Sequence, residues 1–274
     1  MNDIIDEFYR RAEKRLAITE SEPVLRLAEA FCFPSFHPEA RLRVVERADG
    51  TMVRLCSLDA QLWAAEAGQA PRKFEESAVV PAASAERFWA ALSMLAPLDL
   101  APEIAWGLDG MTITATYQQR DAQNQFLIWS PEPRSPEGEF VGVIYRLAWE
   151  FLTGDASIRR LEQLHVYLDL GLPARLINGP VRRLRIFGRL TSSDDHALYQ
   201  QLNDAAGDDP LLVDMTNFEG MGTLLYPIFA RFAARRKNIA WAASPHARKQ
   251  LAQIGVNDWE VFDTVDEALL YLGR

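Results

Sequence analysis

The sequence predicts two domains: an N-terminal α+β domain (residues 1–179) with antiparallel hairpins, and a C-terminal α/β domain (residues 180–274). The chain has 274 residues, whereas one domain commonly holds roughly 100–200. Before the boundary, apolar and polar residues alternate over two pairs of segments, which is the period of a β-strand. Beyond it, short apolar runs alternate with helical segments, as in proteins with a largely parallel sheet.

Two hairpins are predicted in the N-terminal part. The run 41–58 alternates in polarity around Asp49-Gly50, a dipeptide that strongly favours a two-residue hairpin turn. The second hairpin joins the threonine-rich run 111–118 to the run 126–130, because β-branched residues are enriched in strands.

Helices are predicted where apolar residues recur at a spacing near 3.6. In the N-terminal part these helices are 3–16, 23–30, 84–95, 140–152 and 157–170. The segment 32–38 contains two prolines and is predicted to be irregular, since proline lacks the N–H group that regular elements use.

Four strands and four helices are predicted after the boundary, which we place near Gly179. The strands are 182–190, 211–215, 239–243 and 259–262, and the helices are 194–206, 224–236, 245–254 and 264–272. Pro245 at the first position of its helix and Gly255 just after the end of that helix are typical start and stop residues.

Composition excludes several classes of function. A net charge of −9 and a pI near 5.1 oppose attraction to phosphate, so no nucleic acid partner is expected. The two cysteines, Cys32 and Cys56, lack metal-ligand spacing, so no disulfide framework and no zinc site is expected. No apolar run approaches the roughly 18 residues of a membrane span, which predicts a cytoplasmic protein without membrane contact.

Motifs for catalysis are also missing from the sequence. It contains no nucleophile elbow, no phosphate-binding loop, no dinucleotide fingerprint and no zinc-protease motif. His165 falls in an apolar helical pattern, where a packed histidine is the simpler interpretation. We therefore expect a non-catalytic protein with no cofactor and no bound metal.

Four segments of the C-terminal part carry a resemblance to a known family. They are IFGRL (186–190), VDMTNF (213–218), SPHAR (244–248) and FDTVDEAL (262–269). In this order and spacing they resemble a STAS domain, the fold of bacterial anti-sigma-factor antagonists. The resemblance covers the C-terminal third of the chain and implies a protein partner.

One loop departs from the family pattern. Family members that act as phosphorylation switches carry Asp-Ser-Ser-Gly after the central strand, and a serine there accepts phosphate at a helix N-terminus. Here Gly222 takes the aspartate position and Thr223 the acceptor position, with no glycine after it. The start of a helix favours phosphate, but a threonine there is also a common N-cap, so we predict a degenerate switch.

The predicted function is regulation through protein–protein contact. The residues expected to meet the partner are Asp214, Thr216, Asn217, Gly222, Thr223 and Tyr226. Two alternatives remain open. The passage 106–149 resembles small uncharacterised bacterial proteins, some encoded beside secreted toxins, and an acidic immunity protein would complement a basic toxin. The chain could equally be an adaptor in a larger assembly.

Overall fold

The computed structural model describes residues 2–20, 22–63, 70–102, 109–177 and 179–273. The chain groups into two units, residues 1–169 and 170–274. Residues 106–108, which begin the passage that resembles toxin-linked proteins, lie outside the described residues. None of the described helices has the length and hydrophobicity to cross a bilayer.

The first unit is α+β and is built on an antiparallel sheet with the strand order β4-β3-β2-β1-β5-β6. The strands are β1 (Arg26–Pro34), β2 (Ala40–Arg47), β3 (Gly50–Leu58), β4 (Lys73–Val80), β5 (Met111–Gln119) and β6 (Ala122–Trp129). The helices are α1 (Asn2–Arg15), α2 (Ala82–Met94), α3 (Pro136–Phe151) and α4 (Asp155–Leu168).

Both predicted hairpins are confirmed. In the first, Arg47 pairs with Gly50, so the turn residues are Ala48 and Asp49, one position earlier than the sequence indicates. In the second, β5 pairs with β6, and Arg120 in its turn has a left-handed φ of 54°.

The predictions for residues 23–34 are wrong, because β1 runs from Arg26 to Pro34 between β2 and β5. No helix forms over 23–30, and of the stretch 32–38 that was predicted to be irregular, only residues 35–38 lie outside regular elements. Every residue of β1 after Arg26 is buried, so the strand shows no alternation, and a short apolar run of this kind cannot be distinguished from a helix by periodicity. Pro34 is tolerated as the last residue of the strand. The strand β4 was not predicted either.

Helices cover both faces of this sheet. On one face, the ring of Phe140 in α3 lies 5.3 Å from the ring of Phe126 and 6.4 Å from that of Tyr117. On the other, Leu16 just after α1 joins a buried cluster with Phe31 of β1. The sheet thus forms the middle layer of the first unit.

Ionised side chains attach the segment after α1 to the sheet. The guanidinium of Arg43 donates to Glu29 at 2.5 Å and to Glu20 at 3.3 Å. Glu20 also accepts from Arg47 and lies 3.5 Å from Arg54. Burial raises the pKa of Glu20, but these three arginines outweigh it, so the pKa lies below its ordinary value. Glu20 is therefore ionised at neutral pH and holds its segment against β2 and β3.

The second unit contains a mixed sheet with helices, in the order β13-β12-β10-β8-β7. Its strands are β7 (Ala174–Ile177), β8 (Arg182–Ile186), β10 (Leu211–Met215), β12 (Ile239–Ala243) and β13 (Val261–Phe262), and a separate parallel pair is formed by β9 (Gly188–Leu190) and β11 (Phe218–Met221). The helices are α5 (Asp195–Asp204), α6 (Tyr226–Arg235), α7 (Pro245–Gln253) and α8 (Val265–Leu272). Strand β7 is antiparallel to β8, and the other neighbours in the five-stranded sheet are parallel.

Three details differ from the sequence prediction. The predicted strand 182–190 is two strands, because Gly188 has a left-handed φ of 56° that turns the chain out of the main sheet. The turn-rich stretch before Pro180 contains β7, which pairs with β8, so the second unit begins at Leu170 rather than after Gly179. Strand β11 was not predicted. Independent folding of the two parts stays a prediction.

The core of the second unit lies between the sheet and its helices. Trp241 on β12 is fully buried, and its ring lies 6.4 Å from that of Phe232 on α6. Thr264 begins α8 with a capping box in which Glu267 bonds back to the Thr264 backbone N–H. This arrangement satisfies two backbone donors at the helix start.

Candidate functional site

The predicted contact residues surround the loop that follows the central strand β10. Asp214 lies on β10 directly beside Arg185 of β8 in the strand register. The carboxylate oxygen Oδ2 accepts from Arg185 and from Arg183, whose Nη2 lies 2.5 Å away. The other oxygen, Oδ1, accepts from the backbone N–H of Thr216 at 3.0 Å and from the Thr216 hydroxyl at 2.7 Å.

Asp214 therefore positions the loop and is too buried to contact a partner itself. Its side chain is 0% exposed, whereas that of Arg183 is 20% exposed. Burial raises the pKa of Asp214, but the charges of Arg185 and Arg183 and the bond from Thr216 outweigh that effect, so the pKa is lowered. The carboxylate joins β8, β10 and the start of the loop while it stays ionised.

Backbone bonds fix the loop on both sides. The N–H of Gly188 donates to the carbonyl of Asn217 at 2.9 Å, and the N–H of Gly222 donates to the carbonyl of Leu190 at 3.3 Å. Between these points β11 pairs with β9. Asn217 is half-buried and Gly222 is exposed. The loop is therefore partly exposed, and its backbone is held against β9.

Helix α7 holds the loop through the side chain of Gln250, a residue that the sequence analysis did not identify. The Gln250 side chain accepts from the backbone N–H of Met221 at 3.2 Å and donates to the Met221 carbonyl at 3.3 Å. Gly220 next to it has φ of 144°, and a Cβ there would lie 3.3 Å from Nε2 of His246. The close approach of α7 explains the glycine, but a mid-helix glutamine gives no pattern that marks it in the sequence.

Thr223 is exposed and does not cap a helix. It is the first residue of a 3₁₀ turn (Thr223–Leu225) whose N-cap is Gly222, and α6 begins after Leu225; neither start has a side-chain cap. The sequence interpretation of Thr223 as an N-cap is therefore wrong, because the 3₁₀ turn separates it from the α-helix. Its hydroxyl remains on the surface.

An exposed leucine accompanies Thr223. Leu224 is 76% exposed, and it was absent from the predicted set because an apolar residue in a helical run normally indicates core. Tyr226 is half-buried and its hydroxyl donates to Oε1 of Gln253 at 2.9 Å. The loop thus presents Thr223 and Leu224 outward, while Tyr226 is tied to α7.

The described residues offer no site for metal chemistry. No group of three or more histidine, cysteine, aspartate or glutamate side chains among them is placed to hold a metal ion. At the loop, the Thr216 hydroxyl is bonded to Asp214. The loop after β10 therefore offers a partner apolar surface and hydroxyl groups.

No family model matches this chain, and no curated protein matches it. Among solved structures, a chain from the crystal structures of Trypanosoma bruciei MRP1/MRP2 is 16% identical and covers 58% of this chain and 93% of its own length, with a TM-score of 0.20. A likeness at that score carries no argument about fold or function.

Proposed function

We propose that this protein is a non-catalytic, cytoplasmic regulatory protein that binds a protein partner through the loop and first turn around Thr223, with a STAS-like second unit. The order of elements supports this proposal. Parallel strands β8, β10 and β12 alternate with helices, and the four segments that resemble the family lie at the β8–β9 turn, the end of β10, the start of α7 and the start of α8.

The observation that carries the proposal is the exposure of Leu224 beside Thr223 on a supported loop. Leu224 is 76% exposed, and a single exposed apolar side chain costs little free energy. Burying it against a partner contributes favourable free energy in proportion to the apolar area removed from water. The hydrogen bonds from β9 and Gln250 hold the loop in place before binding, which reduces the entropy lost on association. The site is thus organised for contact.

Charge at Thr223 is expected to weaken partner binding. The Thr223→Asp substitution places a carboxylate beside Leu224, and burying that charge without a counter-ion in an interface is unfavourable. Tagged full-length protein should capture a stoichiometric partner from its native host, identified by mass spectrometry, and titration calorimetry should show about tenfold weaker binding for the variant. Thr223→Val, which keeps the shape, should bind nearly as the wild type does.

Leu224→Ala supplies a second measurement, with Leu270→Ala as its control because Leu270 on α8 is also exposed, at 69%. Loss of affinity with the first variant and not the second supports the site. Unchanged affinity in both Thr223→Asp and Leu224→Ala would show that the loop is not the contact surface.

A second surface favours the alternative of an immunity-type protein. Trp259 is 63% exposed, and its ring lies 6.2 Å from that of Tyr271. The side chains of Asp258 and Asp263 nearby in the chain are 87% and 79% exposed, and both pair with Arg248, so the group keeps one net negative charge. Aromatic side chains with an acidic border suit a basic partner, because tryptophan and tyrosine are common anchors in interfaces and complementary charge speeds encounter.

For this alternative, Trp259→Ala is expected to weaken capture of the partner by about tenfold or more, while Thr223→Asp leaves it unchanged. The measurement is the same calorimetric titration at low and at moderate salt, since electrostatic encounter weakens as salt rises. A partner without net positive charge, or equal affinity for Trp259→Ala and wild type, would exclude this surface.

A further inference from the structure

A groove lies between α5 and α6 of the second unit, and none of the six predicted contact residues lines it. Tyr199 and Leu202 of α5 form one wall, and Arg231, Phe232 and Arg235 of α6 form the other. Leu202 and Phe232 are buried, whereas Tyr199 is 47% exposed. The groove therefore has an apolar floor and an accessible rim.

Positive charge is concentrated along the α6 wall. Arg231 and Arg235 are four residues apart, so both lie on the same face of the helix. Arg231 donates to the backbone carbonyl of Pro227 at 3.1 Å, and within the described part of the chain neither arginine forms an ion pair. By contrast, Arg185 and Arg248 of the same unit are paired with aspartates.

A third arginine that lines the groove, Arg236, has a structural role. Arg236 is 8% exposed, and its guanidinium donates to the carbonyls of Ala205, Gly207 and Asp209. Asp208 also lines the groove and offsets one positive charge. Arg231 and Arg235 remain as the two cations available to a ligand.

The size of the groove decides the class of occupant. Its volume is about 180 Å³, whereas pockets for small-molecule ligands commonly hold roughly 300–1,000 Å³. One or two side chains of a bound peptide fit this space, and a whole cofactor does not. The two guanidinium groups favour a peptide with acidic side chains, because guanidinium groups pair with carboxylates in bidentate geometry.

We propose that this groove binds an acidic peptide segment of a partner protein, with one apolar side chain on the floor formed by Leu202 and Phe232 and two carboxylates paired with Arg231 and Arg235. The inference goes beyond the proposed function, since it assigns a further surface, on α5 and α6, that includes neither Thr223 nor Trp259. An acidic segment would otherwise be repelled by a chain with a net charge of −9, so this local reversal of charge gives selectivity.

The test uses a fluorescein-labelled synthetic helix that carries one leucine between two glutamates four positions apart, titrated with the full-length chain and followed by anisotropy. A matched peptide with glutamine in place of both glutamates is expected to bind about tenfold more weakly. The double variant Arg231→Glu with Arg235→Glu is expected to lose the glutamate peptide and to bind a matched peptide with lysines at those positions.

The control is the double variant Arg189→Glu with Lys249→Glu, two exposed positions that change the net charge by the same amount. Wild-type affinity in that control supports the groove, and an equal loss in both double variants would show a non-specific charge effect and overturn the proposal. Equal binding of the glutamate and glutamine peptides would overturn it as well. Thr223→Asp is expected to bind the peptide as the wild type does, which keeps this test separate from that of the loop.

Discussion

Replacing Asp214 by alanine is expected to destabilise the second unit by about 3–5 kcal/mol. The substitution removes a fully buried carboxylate that accepts hydrogen bonds from Arg183 and Arg185, and Arg185 is 4% exposed. Breaking a buried ion pair by removing one partner is costly because the remaining guanidinium has already lost its hydration. Hydrogen–deuterium exchange of the full chain, read by mass spectrometry, should show lower protection in peptides that cover β8 and β10.

Asp258→Ala is the matched control, because it also removes an aspartate paired with arginine. Its partner is Arg248, and the Asp258 side chain is 87% exposed, so the expected change is about 0–1 kcal/mol. Equal effects of the two substitutions, or unchanged protection of β10 in Asp214→Ala, would contradict the role assigned to Asp214.

The pH dependence gives the same prediction a second readout through Asp214→Asn. A carboxyl group with a lowered pKa in the folded state contributes its full stability above its unfolded pKa, and the contribution is lost as the pH falls through the folded value. The difference in stability between wild type and Asp214→Asn is therefore expected to be constant near neutral pH and to shrink below about pH 4. A difference in stability that grows on acidification would show that folding raises the pKa of Asp214, which would contradict the prediction.

Replacing Glu20 by alanine is expected to destabilise the first unit by about 2–3 kcal/mol. The change leaves Arg47 and Arg54 without the carboxylate that both approach. It also weakens the attachment of the segment after α1, which is then held by the bond from Arg43 to the Ile18 carbonyl. The expected cost is lower than for Asp214 because the Glu20 side chain is 14% exposed. Exchange should rise in peptides that cover β2 and β3.

Glu22→Ala is the control in the first unit, since Glu22 is exposed and lies two positions further along. It should leave the exchange of β2 and β3 unchanged. If both substitutions act alike, the segment is held by general charge attraction, and the specific contacts of Glu20 carry no stability.

Elements with a clear period or a clear boundary residue could be predicted from the sequence. The hairpin marked by Asp49-Gly50 and the α7 start at Pro245 belong to this group, because their local signals agree with the final fold to within one residue. Strand β1 could not be predicted, since burial on both faces removes its alternation. Strand β11 is four residues long and forms only because β9 lies beside it, which is a contact between distant segments.

The sequence predicts contact residues around the loop after β10, but the roles within this loop depend on burial that the sequence does not display. Asp214 looks like a loop-facing acid at the end of a strand, and only the neighbouring register places two arginines on it. Leu224 looks like core for a helical run, and only the 3₁₀ turn before α6 brings it outside. Both differences arise from tertiary contacts.

The pairing of β1 with β5 has a consequence for how the protein is made. Strand β1 lies in the middle of its sheet, but its neighbour on one side, β5, begins only at Met111. During synthesis the strands β1 to β4 can pair as a meander, and the backbone edge of β1 stays open until β5 has left the ribosome. An unpaired strand edge is a template for other chains, so the nascent first unit has a period of exposure to aggregation that ends when residues 111–119 emerge.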